Sequence, residues 1–499
     1  MDNVRSISGK VLLTGKEIAS WFSAIREVAE KQMKNKFDTE NNFTDQEMKN
    51  LTTLDREQFR NLYTFCDPVE IDGNRRYISK KYLIAFLAKL NQGISDDFIS
   101  TIFQFRSRQN TSKIIAVVRE SLNRRFKQEN LGFNCPQVQN KEQFIANHVT
   151  EFANLLYNPN SGIPKAILYP DCTYLKIPKS SHFRVQRQSF STHKNYNLLK
   201  AGLIVAPDGY IASVHGPYFS DVRSNDAQIL IKEINEDHDN IRDWLDNGDI
   251  FVMDRGYRDA IEFLEDLNIN CEMPSILPRG QRQFTTEEAN QSRKCTKTRW
   301  IVEARNGHLK SIFKFFQGLI PEQHIHHLKS FLEIACALIN KYRPPIHMQD
   351  ANADLAENML NIIANQRHNH LQQRVEEEGL LRRNAGLWTN IEDNIDFNFP
   401  RLPLPYLQSK TFGTYQVKIS PGYIQDTNGR ERHNEFVFQT QRHDNHLLRA
   451  RVHSRFRQLT KHQIFIQYNE DIEEDPITGK INLLLFCTVV YTIHFNIEH

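Results

Sequence analysis

The chain has 499 residues, 25% of them charged and 39% hydrophobic, with a net charge of +3. It is long enough for two to four domains with a real core, and its balance is ordinary for a soluble globular protein, so total charge says little about partners. No apolar run reaches the ~18 residues of a membrane span, Met1 to Lys10 lacks an apolar signal region, and no internal repeat or low-complexity tract occurs.

The pattern from Leu12 to Lys49 is that of charged helices. A helical block follows from Leu51 to Phe126. Leu83, Phe86, Leu87 and Leu90 mark one amphipathic helix that ends near Gly93. Ser95 is placed to cap the next, whose stripe is Phe98, Ile99, Ile102 and Phe103. After a break at Phe105 to Gln109, Ile114, Ile115, Val118 and Leu122 mark a longer third helix. Two short helices and a longer one, joined by tight turns, suit a helix-turn-helix. From Arg75 to Lys127 the chain carries Arg75, Arg76, Lys80, Lys81, Lys89, Arg106, Arg108, Lys113, Arg119, Arg124, Arg125 and Lys127 against Asp96, Asp97 and Glu120. Such a local basic surface points to nucleic acid, with a helical bundle bearing solvated charge as the alternative.

From Ala166 to Gln317 strands alternate with helices, the pattern of an α/β core. Ala166 to Ile177 is a predicted strand, and Leu198 to Ala206 and Tyr210 to Val214 form a hairpin around Pro207, Asp208 and Gly209. Asn225 to Asn235 is a predicted helix and Asp249 to Met253 a buried strand. Arg258 to Leu267 is expected to be helical, Cys271 to Leu277 extended, and Thr296 to Phe316 a long helix. A further helix buries Leu328, Phe331, Leu332, Ala335, Leu338 and Ile339 and stops at Pro344 and Pro345. Asp354 to Glu378 is helical again, and short strands follow a boundary at Pro400. The expected organisation is a helical leader over 1–50, the helix-turn-helix block over 51–130 and the α/β core over 165–345. A helical segment over 350–395 and a small α+β, strand-rich region over 400–499 complete it.

Three acids stand out in the core. Asp171 lies inside the strand-like segment YPDCTYLKI, Asp254 directly follows the apolar run DIFVM, and Glu303 sits on the long helix. A carboxylate at a strand end is held rigidly yet opens at the sheet edge. On the long helix, Arg299, Glu303, Asn306, Lys310 and Lys314 recur every three or four residues and share a face, with Ile301, Leu309, Ile312 and Phe316 opposite. One acid in a basic face suits a metal-bound phosphodiester, the acid holding the ion and Arg299 and Lys310 the phosphates. Three carboxylates suit two Mg²⁺ or Mn²⁺ ions roughly 3.5–4 Å apart. Taken singly, an Asp after a strand is more often a turn residue or helix cap, and a helical Glu more often solvated.

These residues fall in strings that resemble the DDE superfamily endonucleases, the Harbinger- and IS-like transposases known as DDE transposase family 4. The strings are YPDCTYLKIPKS, SFSTHKNYNLLKAGLIVAPDG, GPYFSDVRSND, VMDRGY and TKTRWIVEARNGHLKSIFKFF, in that order from Ala166 to Phe316. The resemblance implies an RNase H-like fold and a metal-dependent activity that cuts and joins DNA strands, with Asp171, Asp254 and Glu303 as catalytic metal ligands. Cys172 stands where relatives often have glycine. Lys179, Lys194, Lys200, His193 and His308 are candidates for phosphate contact, and exposed lysines on strand edges are the plainer reading. Asp226 is a candidate for metal or DNA positioning, with a cap on its own helix as the simpler role. His324, His326 and His327 read as a polar loop.

The resemblance extends to a helix-turn-helix ahead of the core, whose third helix enters the major groove of double-stranded DNA. Arg106, Arg108, Gln109, Ser112 and Lys113 then lie near base edges or phosphates. The C-terminal strings FPRLPLPYLQSKTFGTYQVKISPGYI and LLRARVHSRF resemble the lead-in to a SWIM-type zinc finger, which needs a CxC pair followed by CxH. Only Cys487, with His494 and His499, stands there, so no structural zinc is expected. The seven cysteines are scattered without a CxxC pair, which points to reduced thiols and an intracellular protein. The DNA substrate and the family point to the nucleus and to a homo-oligomer; no membrane is involved. The alternative function is a domesticated, sequence-specific DNA-binding protein that no longer cuts.

Overall fold

The computed structural model of the protein describes residues 14–33, 36–71, 73–159, 161–192, 194–237, 239–278, 284–348, 351–365, 370–381, 387–391, 399, 402–410, 417–422, 437–453, 461–468 and 484–487. The chain divides into two compact units. Among the described residues no helix is long and apolar enough to cross a membrane.

The first unit gathers Met1–Asn130, Leu175–Pro178 and His308–Arg343. Its helices are fixed by local chemistry. Asp45–Thr52 and Arg56–Tyr63 each begin with a capping box, Thr44 with Glu47 and Asp55 with Gln58, which satisfies otherwise orphaned N–H groups. Lys80–Gln92 ends at Gly93, whose φ of +66° is a left-handed cap that a side chain disfavours. Ser95 caps Asp96–Ile102 as expected, its side chain accepting from the Phe98 N–H. Arg108–Leu122 follows, with Ser107 accepting from the Asn110 N–H. Leu83, Phe86, Leu87, Leu90, Ile99, Phe103, Ile114, Ile115, Val118 and Leu122 are buried, whereas Phe98 is exposed.

The block is not wholly helical. β1 (Val69–Ile71) and β2 (Asn74–Arg76) form an antiparallel hairpin. Pro68 blocks helix here, and Gly73 at φ +70° makes the turn. The buried Lys89–Asp96 ion pair, 2.6 Å long, ties two helices together. His324 is also buried, packed on Phe315 and Phe331 within the 3-10 turn Glu322–His327, so it departs from the polar loop expected there, whereas His326 and His327 are exposed. The apolar residues around His324 decide its environment.

The second unit gathers Leu131–Tyr174, Lys179–Gly307 and Pro344–His499. Its central sheet contains β3 (Ile167–Lys176), β4 (Phe190–Ser191), β5 (Tyr196–Val205), β6 (Ile211–Phe219), β7 (Ile250–Val252) and β8 (Asn270–Glu272). The order is β4-β5-β3-β7-β8, with β6 also paired to β5. β3 runs parallel to β7, and β7 parallel to β8, while β5 and β6 form the antiparallel hairpin expected around Gly209. Apolar strand residues such as Leu168, Ile204 and Phe251 pack with Leu230, Ile234 and Leu264 from flanking helices. Each such side chain fully buried contributes about 1.5–3 kcal/mol.

The long helix runs Thr286–Ile312, ten residues earlier than the expected start at Thr296. Thr285 explains this: its hydroxyl accepts from the Glu288 N–H and its own N–H donates to the Glu288 carboxylate. The helix stops at Ile312 and Lys314–Phe316 forms a 3-10 turn.

Beyond it lie the helices Ala353–Asn365 and His370–Glu377 and an antiparallel five-stranded sheet. Its strands are β9 (Trp388–Asn390), β10 (Val437–Gln441), β11 (Asp444–His453), β12 (Lys461–Gln467) and β13 (Leu484–Cys487). β9 falls in a stretch expected to be helical. Trp388, Leu447 and Phe465 pack with Leu371 and Val375 to close that sheet's core. Cys487 ends β13, and His494 and His499 lie outside the described residues.

Candidate active site

All three predicted acids lie in the second unit. Asp171 sits on β3, flanked by β5 and β7. Asp254 comes two residues after β7 and caps the 3-10 turn Arg255–Ala260, its Oδ1 accepting from the Gly256 N–H at 2.7 Å. A Cβ on Gly256 would lie 2.9 Å from Asp254 Oδ1 and 3.4 Å from Asp226 Oδ2, so only glycine lets two carboxylates close on this backbone. Glu303 projects from the long helix and is 38% exposed.

Arg299 joins the three. One terminal guanidinium nitrogen lies 3.4 Å from Asp171 Oδ1 and 4.0 Å from Asp254 Oδ2, and the other lies 3.5 Å from Glu303 Oε1. Because a single nitrogen contacts both aspartates, their separation cannot exceed those two distances together. Asn306 adds a fourth contact, its side-chain amide donating to Asp171 Oδ2 at 2.8 Å. Arg299, Glu303 and Asn306 follow one another at helical spacing, so the expected face exists. Within it Arg299 and Asn306 are buried rather than solvated, Lys310 is half-buried, and Lys314 is exposed beyond the end of the helix.

A second ion pair adjoins the cluster. Lys200 Nζ on β5 donates to Asp226 Oδ1 at 2.8 Å. Lys200 is buried, not an exposed edge lysine, and Asn225 rather than Asp226 caps the Asp226–Glu236 helix. The sequence contained both residues but gave no sign that they pair.

Burial first, and then the crowding of negative charge, show in the titration. Burial pushes Asp171 up to about 7, the negative charges of Asp254, Glu303 and Asp226 push the same way, and Arg299 opposes them. Burial also raises Glu303, with Asp254 adding to it and Arg299 opposing. Burial works against the charge on Arg299, yet Asp171, Asp254 and Glu303 together hold its pKa above the ordinary value.

The donors are all oxygen, which fits hard divalent cations. Asn306 Oδ1 is buried without a hydrogen-bond partner and could serve as a further oxygen donor. Among the described residues no three acidic, histidine or cysteine side chains already close on one metal-sized point. The three carboxylates stand around the guanidinium instead.

The predicted DNA contacts are divided between the units. Arg106, Arg108, Gln109, Ser112 and Lys113 belong to the first and are all exposed around the start of the Arg108–Leu122 helix. Arg108 donates to the Gln323 side-chain carbonyl at 2.5 Å. Elsewhere in the basic block, Lys80 pairs with Glu40, Lys81 with Asp38, Arg125 with Asp67 and Lys127 with Glu333, so part of its charge is compensated by acids of the same unit. Lys194 is half-buried in the turn after β4, Lys310 half-buried in the last turn of the long helix, and Lys179 and His308 are exposed. His193 lies outside the described residues.

The second unit thus brings Asp171 from a strand, Asp254 from the turn after a strand and Glu303 from a helix around one guanidinium. The family model described as DDE superfamily endonuclease matches residues 170–340, a segment that holds all three acids and makes up about a third of the chain. No curated protein and no solved structure matches the chain.

Proposed function

We propose that this protein is a metal-dependent DNA endonuclease of the transposase type, with Asp171, Asp254 and Glu303 holding two Mg²⁺ or Mn²⁺ ions. The observation that carries the reading is the convergence of those acids, 132 positions apart at the extremes by their numbering, on a single guanidinium. The strand order supports an RNase H-like core: an antiparallel pair, β5 and β6, on one side of β3, and parallel β7 and β8 on the other. Strand joining, a nuclear location and assembly into a homo-oligomer belong to the same proposal.

When bound, the ions would activate the attacking hydroxyl or water and stabilise the leaving oxygen. The chain's own residues hold the ligands. The Gly256 N–H fixes the Asp254 carboxylate and the Asn306 amide fixes that of Asp171. Lys200 pairs with Asp226, the further acid whose negative charge pushes Asp171 upward. In the first unit, the Asp96–Ile102 and Arg108–Leu122 helices serve as a helix-turn-helix, with Arg106, Arg108, Gln109, Ser112 and Lys113 toward DNA. In the core, Lys194 and Lys310 are proposed phosphate contacts, whereas Arg299, buried among the acids, is not.

Nicking of supercoiled plasmid by the full chain tests this. The wild type should nick only with Mg²⁺ or Mn²⁺, and Asp254→Ala should lose the activity. Equal nicking by both proteins would remove the mechanism. Tight duplex binding without any metal-dependent nicking would leave a DNA-binding protein that does not cut.

A further inference from the structure

The three acids share one counterion, and the protein itself supplies it. Arg299 is 5% exposed, and its guanidinium spans Asp171, Asp254 and Glu303 at 3.4, 4.0 and 3.5 Å. An arginine committed to one carboxylate forms two parallel hydrogen bonds of about 2.7–2.9 Å. None of these contacts is that short. The guanidinium is poised among three acids rather than forked onto one, and its buried Nε has no hydrogen-bond partner. One positive charge also cannot neutralise three carboxylates.

We infer that Arg299 stands in for the cations in the metal-free protein: it holds Asp171, Asp254 and Glu303 together and gives way when divalent ions bind. The inference rests on reading these acids as metal ligands. Without a counterion, three converging carboxylates would repel one another and open the β3, β7 and helix junction. With Arg299 they stay within reach of a shared pair of ions. Divalent ions among the same oxygens would meet a buried positive charge only a few ångströms away, which is strongly unfavourable unless the guanidinium withdraws. Arg299 is therefore a positioning residue that competes with the ligand it prepares for.

That competition gives the test its sign. Mn²⁺ binding to the full chain is measured by titration calorimetry, and melting is followed in EDTA and in Mn²⁺. Arg299→Gln should bind Mn²⁺ about tenfold more tightly than wild type, because the competing charge is gone. Its melting temperature in EDTA should fall below that of wild type, and saturating Mn²⁺ should close the gap. Arg299→Lys keeps the charge on a flexible stem without the planar fork, so its affinity should lie between the two. This variant carries the test if Arg299→Gln does not fold. Mn²⁺ affinity that is unchanged or weaker in the variants, with wild type binding normally, would overturn the inference while leaving the metal reading intact. No Mn²⁺ binding by wild type or variants would overturn the metal reading and this inference with it.

Discussion

Asp171 should make cation binding depend on pH in the neutral range. Its folded-state pKa is pushed up to about 7 from an ordinary 3.8, chiefly by burial, then by the neighbouring acids against the pull of Arg299. A carboxylate that titrates at about 7 is roughly nine-tenths protonated at pH 6 and one-tenth at pH 8, so Mn²⁺ affinity should rise about tenfold across that interval. Near pH 7 each binding event should release about half a proton from this group, read as a dependence of calorimetric heat on the buffer's ionisation enthalpy. The same shift acts on the metal-free fold. Because the folded value lies above the unfolded one, the contribution to stability is complete below about pH 4 and is lost as pH rises to 7, at about 1.4 kcal/mol per unit. Melting in EDTA should therefore weaken toward neutral pH, and Asp171→Asn should flatten that slope. Mn²⁺ affinity that stays flat between pH 6 and pH 8, with no buffer-dependent heat, would refute the reasoning.

Three further outcomes are expected. Lys89→Met should destabilise the first unit by about 3–5 kcal/mol in urea unfolding, because it strands a buried Asp96, and adding Asp96→Leu should recover most of the loss. His324 is pushed down to about 4, first by burial and then by the charge of Lys89, so stability should be lost as pH falls from about 6.5 to about 4; His324→Leu should flatten that loss in melting curves. Arg108→Ala combined with Lys113→Ala should weaken duplex binding in anisotropy titrations and reduce the slope of log affinity against log salt by about 1.8, the value for two phosphate contacts.

Much of the second unit was legible because its signals are local. The Asp208–Gly209 turn between two apolar runs announces the β5–β6 hairpin, and the apolar run ending at Met253 announces a buried strand. The long helix was harder to bound. Its first ten residues, Thr286 to Cys295, carry few apolar side chains, so periodicity starts late although Thr285 and Glu288 already spell a capping box. β1 and β2 were missed because a three-residue strand is too short for alternation to register, and Pro68 and Gly73 were the available clues.

The acids themselves were legible as residue types in suggestive places, but not as a cluster, because convergence is a property of the sheet and not of spacing. The sequence shows that Arg299, Glu303 and Asn306 share a helix face; it does not show whether that face meets solvent or the sheet. A solvated face would have made Arg299 an exposed phosphate ligand and left its charge nearly inert toward Asp171. A buried one makes it the counterion on which the arrangement depends. The same side chain thus changes from a surface contact to the organiser of the site through burial alone, and the Lys200–Asp226 pair follows the same rule: two charges read as edge and cap become a coupled unit once β5 and the Asp226–Glu236 helix are packed. In a site built from like charges, the decisive residues are the ones that make their approach tolerable, and these can be read only after the chain has folded.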